Sequence, residues 1–197
     1  DPEYFQRCGP SGCNTEKALV FCTSHVQSDP KRYQDWVEYY SAFFNGMNVD
    51  LLMVNDGMAD FVYNPVKFVG LTPHLGRPQM SVSAGVKRSF GYGVDYAIQH
   101  NYKWLAFVES DCYVLPAARF EFMYRLRTPG YGMPFCRTYN FPECNLQIIT
   151  DQRVRKTMVL WNSEESDWFA SELFEARLGK LGAGEVFIGE RFEGIPD

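Results

Sequence analysis

The sequence predicts an α/β protein built on a mainly parallel sheet, and three apolar runs predict it. Ala18 to Ser24, Val49 to Val54 and Lys103 to Val108 are each short, almost wholly apolar, and polar at the carboxyl end. Strands buried on both faces read this way, and helical patterns separate them, as parallel crossovers require.

In chain order, residues 1 to about 17 form a polar leader punctuated by Gly and Pro. The first strand follows. Asp29 is then a good N-cap with Pro30 at the first helical position, and Tyr33, Trp36, Val37, Tyr40 and Phe44 make one apolar face before Gly46 stops the helix. The second strand is closed by Asn55-Asp56-Gly57, which completes a βαβ unit. A less regular Pro/Gly-rich passage, 64 to 78, leads to a helix from about Ser83 to Gln99, and that helix feeds the strand ending in Glu109-Ser110-Asp111. Beyond Pro116 short strands (Met133 to Arg137, Leu146 to Ile149) and helices (Asp151 to Val159, about Glu164 to Leu181) are expected. The reading is one domain, with residues 18–116 as a nucleotide-binding half and 117–197 as a smaller acceptor-binding half.

Composition narrows the function. With 197 residues, 46% of them hydrophobic, the chain can bury a core, so disorder is excluded. A net charge of -5 with no basic run gives an extended nucleic-acid footprint little electrostatic support. No apolar run is long enough to span a bilayer and no signal peptide is recognisable, so the expected setting is cytoplasmic. The chain starts at Asp1 rather than Met, which reads as a fragment, a processed chain or a renumbered one and leaves room for an anchor or partner domain outside it. Six cysteines are too scattered for a disulfide scaffold; Cys8 and Cys13 can close a small loop, and Cys136 and Cys144 do not match a zinc knuckle.

The chemistry gathers at three strand ends: Thr23-Ser24-His25, Asn55-Asp56-Gly57 and Glu109-Ser110-Asp111. A parallel sheet puts all three on one edge, where ligands bind. There Asp56 or Asn55 can meet a base edge, Thr23 and Ser24 a ribose or phosphate, and Asp111 a cation bridging a diphosphate. The opposing readings are a solvated loop start for the acidic pair, a capping or packing role for His25, and a solvated helix start for Lys87, which can otherwise contact phosphate.

This order of strand, Asn-Asp-Gly, helix, strand and Glu-Ser-Asp resembles the GT-A fold glycosyltransferases, especially the inverting kind that use nucleotide-diphosphate sugars. Arg88-Ser-Phe-Gly91 is similar to the Arg-Asn-x-Gly element of that family, and Glu109-Ser-Asp111 to its Asp-x-Asp, with Glu at the first position. The resemblance implies a UDP-sugar donor, a carbohydrate or other hydroxyl acceptor, and Mn2+ or Mg2+. It also implies roles: Asp56 reads the pyrimidine with Thr23 beside it, Arg88 approaches the phosphates, Glu109 contacts ribose or metal, and Asp111 ligates the metal. The family's base, on a Glu-Asp element in the second half, falls at Glu172, with Asp167 and Glu175 as rivals and a solvated acidic face as the plain alternative. The family's late metal-binding His has no counterpart among His25, His74 and His100. Two other classes fit parts of the pattern: a non-catalytic sugar-nucleotide or glycan-binding module, and another metal-dependent nucleotidyl or phosphoryl transferase. A Gly-rich phosphate loop is missing from Thr23 to Pro30, which disfavours the sugar-activating nucleotidyltransferases.

Overall fold

The computed structural model describes residues 17–58, 66–77, 84–136 and 141–163. β1 (Ala18–Ser24), β2 (Val49–Asp56), β3 (Lys67–Leu71) and β4 (Trp104–Val108) are mutually parallel. β8 (Leu146–Ile149) runs antiparallel beside β4, and β5 (Tyr131–Gly132) antiparallel beside β8, so the six-stranded order is β3-β2-β1-β4-β8-β5. β6 (Phe135–Cys136) and β7 (Phe141–Pro142) form a separate ribbon.

Helices cover both faces. α1 (Pro30–Phe43) and α3 (Arg119–Leu126, preceded by a 3-10 turn at Pro116–Ala118) pack on one side, where Trp36, Tyr40, Phe43 and Phe44 meet Phe122, Met123 and Leu126. α2 (Ala84–Gln99) and α4 (Gln152–Ser163) cover the other, where Phe90, Val94 and Ala97 join Met158. β1 serves both layers by alternation: Val20 and Cys22 face α1, Leu19 and Phe21 face α2. Each fully buried large side chain contributes roughly 1.5–3 kcal/mol, so Trp36 alone matters to α1.

α2 lies unusually close to the sheet because glycines face it. A Cβ on Gly93 would stand 2.3 Å from the Phe21 ring, and one on Gly85 would stand 2.0 Å from the Asp56 carboxylate. Gly93 therefore lets Phe21, Phe90 and Phe107 pack as an aromatic trio with centroids 5.1 to 5.6 Å apart, two pairs tilted and Phe90–Phe107 edge-to-face.

The expected central strands and first two helices match the structure within a residue or two. Three corrections arise after residue 64. β3 occupies part of the passage read as irregular, because a half-buried edge strand with Gly70 lacks a long apolar run. α3 stands where only turns and strands were expected, since the local pattern Phe-Glu-Phe alternates although Phe122, Met123 and Leu126 share one helical face. α4 runs four residues further than expected, to Ser163. The helix expected over 164–181 lies outside the described residues. Among the described residues, no helix is long and apolar enough to cross a membrane.

Candidate functional site

The carboxyl ends of β1, β2 and β4 open onto one cleft of about 280 Å3, lined among others by Thr23, Ser24, His25, Asp56, Glu109 and Ser110. Parallel pairing produces this convergence, since Ser24 aligns with Asn55 on one side while β4 pairs along β1 on the other.

Each strand end is held by a distinct device. After β1 the chain turns at His25, whose carbonyl accepts from Ser28 N at 3.0 Å and Ser28 Oγ at 2.7 Å. Asp29 then caps α1 by accepting from Arg32 N at 3.2 Å, which sets the first helical turn against the cleft. Asn55 is fully buried and turned inward: its Oδ1 accepts from Ser24 Oγ (3.1 Å) and Val26 N (2.8 Å), and its Nδ2 donates to Gly57 O (2.9 Å). Asn55, expected with Asp56 as an alternative at a base edge, thus braces two strand ends and is not among the residues lining the cleft. After β4, Cys112 N donates to Glu109 O at 3.0 Å, closing a turn with Ser110 and Asp111 at its centre. Tyr40 of α1 fixes the following residues, donating to Cys112 O at 2.9 Å and accepting from Val114 N at 3.0 Å.

Asp56 is engaged from several sides. Its carboxylate, 7% exposed, accepts from Arg88 Nη2 (2.5 Å), Leu75 N (3.1 Å) and Gly76 N (2.7 Å), with His74 Nδ1 at 2.9 Å. Gly76, at φ 61°, adopts the left-handed conformation that presents its amide here. Arg88 also donates to Leu71 O (3.1 Å) and Pro73 O (2.7 Å). Arg88, expected at the phosphates, thus belongs to a clasp that ties α2 to β2 and to the loop after β3, and it does not line the cleft. Lys87, expected at phosphate or in solvent, is wholly buried.

Asp111, expected to ligate a cation, is exposed and is not among the residues lining the cleft; its Oδ2 pairs at 2.8 Å with Nη2 of Arg32, which does line it. Arg32, Tyr33, His74, Gly76, Arg77 and Val86 complete the lining; the sequence places Tyr33 on the apolar face of α1 and assigns none of the six to the site. Arg32 had a signal: it sits in the first turn of the helix after β1, a position that borders the crevice in such sheets. His74 and Arg77 fall in the passage left unassigned. His25 and His74 stack with centroids 4.3 Å apart at 14°, a planar wall beside Asp56. Glu172 and Asp167 lie outside the described residues, as do Cys8 and Cys13.

Burial, then the carboxylates of Glu109 and Asp111, pushes the Cys112 thiol up to about 12. We expect Cys112 in the native protein to be alkylated at pH 8 at least about 100-fold more slowly than in urea, read by peptide mass spectrometry, because the thiolate is the reacting species. Equal rates would contradict this packing.

No protein-family model matches the chain, and no curated protein matches it significantly. Solved structures do. The chain superposes on a mannosyltransferase from Pyrobaculum calidifontis, determined in complex with GDP-Man and Mn2+, with a TM-score of 0.55 and 8% identity, covering 95% of this chain and 59% of that one. An active-site mutant of LgtC gives 0.54 and 12% identity over 87% of this chain and 72% of that one. A protein assigned as a nucleotide-diphospho-sugar transferase from Desulfovibrio desulfuricans G20 gives 0.53 and 9% identity over 89% and 80%. With its mainly parallel six-stranded sheet covered on both faces, the chain has the GT-A-like fold of these nucleotide-sugar transferases.

Proposed function

We propose that the cleft binds a nucleotide-diphosphate sugar, with UDP as the expected nucleotide, and that the protein transfers the sugar to an acceptor hydroxyl with inversion. The observation that carries this reading is the meeting of the β1, β2 and β4 ends in one cleft, on a fold shared with nucleotide-sugar transferases. Thr23 and Ser24 offer hydroxyls for ribose, the His25–His74 stack offers a flat wall for a base, and Arg32 and Arg77 bring positive charge toward a diphosphate. Asp56 supports base recognition by fixing the Leu75–Gly76 loop as well as through any contact of its own.

Glu109 and Asp111 suit a divalent cation: two hard carboxylate donors one residue apart on a single turn, with substrate phosphates able to supply further oxygens. Among the described residues no group of three His, Cys, Asp or Glu side chains could hold a metal by itself, so a cation here would need oxygens from the substrate. Such a cation would supply charge neutralisation for the leaving diphosphate. Glu172, or Asp167, is proposed to remove the acceptor proton. Inversion rests on the family resemblance alone.

The test is a thermal-shift panel of nucleotides and nucleotide sugars with Mn2+ or Mg2+, followed by a donor-turnover assay. A UDP-sugar should stabilise the protein most. Asp111→Ala should lower turnover about 100-fold or more, the scale set by losing one transition-state charge partner. Stabilisation without turnover by any acceptor would favour the binding-module reading, and a product of retained configuration would overturn inversion.

A further inference from the structure

Arg32 stands at an unusual point, on the wall of the cleft yet paired with the carboxylate proposed to receive a cation. Its guanidinium uses Nη2 on Asp111, while Nε is buried without an acceptor, so this one ion pair leaves the hydrogen-bonding capacity of the side chain only partly used. The pair is also cheap to separate: the two side chains are 39% and 58% exposed, and ion pairs of that exposure contribute little. The turn beneath Asp111 is fixed by Cys112 N and Tyr40, and the backbone beneath Arg32 by the Asp29 cap, so the side chains can exchange partners without moving either element.

We propose that Arg32 is a diphosphate-binding residue that exchanges partners on donor arrival: Arg32 leaves Asp111 for the diphosphate, and Asp111 is thereby released to ligate a cation. The inference rests on the donor reading of the cleft. It has a consequence that a purely structural ion pair lacks, because the two binding events respond oppositely to each side chain. While Arg32 is paired with Asp111, its positive charge opposes a divalent ion there, and the negative charge of Asp111 holds Arg32 back from phosphate.

The experiment measures two probes separately on wild type, Arg32→Gln, Arg32→Lys and Asp111→Asn: Mn2+ alone, from the electron paramagnetic resonance signal of the free ion, and UDP or GDP in EDTA, by calorimetry. Arg32→Gln should bind Mn2+ alone about tenfold more tightly, since one positive charge beside a divalent site is gone, and should bind the metal-free diphosphate about tenfold more weakly. Arg32→Lys keeps the charge and loses the fork, so its Mn2+ affinity should stay at the wild-type value while diphosphate binding weakens. Asp111→Asn should bind metal-free diphosphate more tightly than wild type. Unchanged Mn2+ affinity in Arg32→Gln, or a gain in Arg32→Lys equal to that in Arg32→Gln, overturns the competition. Unchanged diphosphate affinity in Arg32→Gln overturns the phosphate contact. If wild type and Asp111→Asn bind neither UDP nor GDP, the donor reading falls, and the Mn2+ comparison decides the ion pair independently.

Discussion

Replacing Asp56 with alanine is expected to lower stability by about 3–5 kcal/mol, the combined cost of taking the shared acceptor from three donors around one buried carboxylate. The carboxylate is nearly enclosed and takes hydrogen bonds from Arg88, Leu75 N and Gly76 N, so its removal leaves two loop amides without their acceptor and takes the counter-charge from a half-buried guanidinium that keeps only carbonyl partners among its described hydrogen bonds. For a chain of this length the melting temperature should fall by about 10 °C, and the denaturant midpoint should shift with it. Two further variants check the cause. Asp56→Ala with Arg88→Met should recover much of the loss, because the uncompensated charge goes with the second change. Gly85→Ala should mimic part of it, since its Cβ would enter the space of the Asp56 carboxylate. If Asp56→Ala melts within about 2 °C of wild type, the clasp contributes nothing to stability and the account of the cleft wall fails.

The clasp also explains where sequence reasoning reached and where it stopped. β1, α1 and β2 were legible because each carries its own punctuation: an apolar run with a polar end, the Asp29-Pro30 cap, the Asn-Asp-Gly turn. The Glu109-Ser110-Asp111 turn was legible for the same local reason, an apolar strand ending abruptly in acids. What those side chains touch was not. Asp56 and Arg88 are 32 residues apart, and nothing in either segment says that the guanidinium turns to the carboxylate instead of the cleft. Likewise Asn55 looked like a ligand-reading amide, yet its oxygen is taken by the backbone and hydroxyl of the neighbouring strand end. Arg32 carries no such mark in the sequence, because a helical pattern reports the apolar face and is silent about which polar residue borders a crevice.

Arg155 on α4 makes the same point, and its replacement is the second large effect expected. This side chain on α4 is fully buried, and its Nε, Nη1 and Nη2 donate to the carbonyls of Ile149 (2.5 Å), Tyr102 (2.7 Å) and Lys103 (2.8 Å). Burial pulls its pKa down to about 10, still far above neutral, so it stays charged and the three carbonyls carry the solvation that water would have given. One residue thereby joins α4, the end of β8 and the entry to β4, the strand that leads to Glu109 and Asp111. Arg155→Ala leaves three carbonyls without that donor and opens a cavity, for an expected loss of about 3–5 kcal/mol. Arg155→Lys should recover only part, because a single ammonium cannot reproduce a planar fork across three fixed acceptors. Hydrogen exchange separates this from a local packing defect: in Arg155→Ala the amides of β8 and β4 should lose protection together, while those of β2 and β3 keep theirs. A loss confined to α4 would mean that the carbonyl contacts do not couple the helix to the sheet.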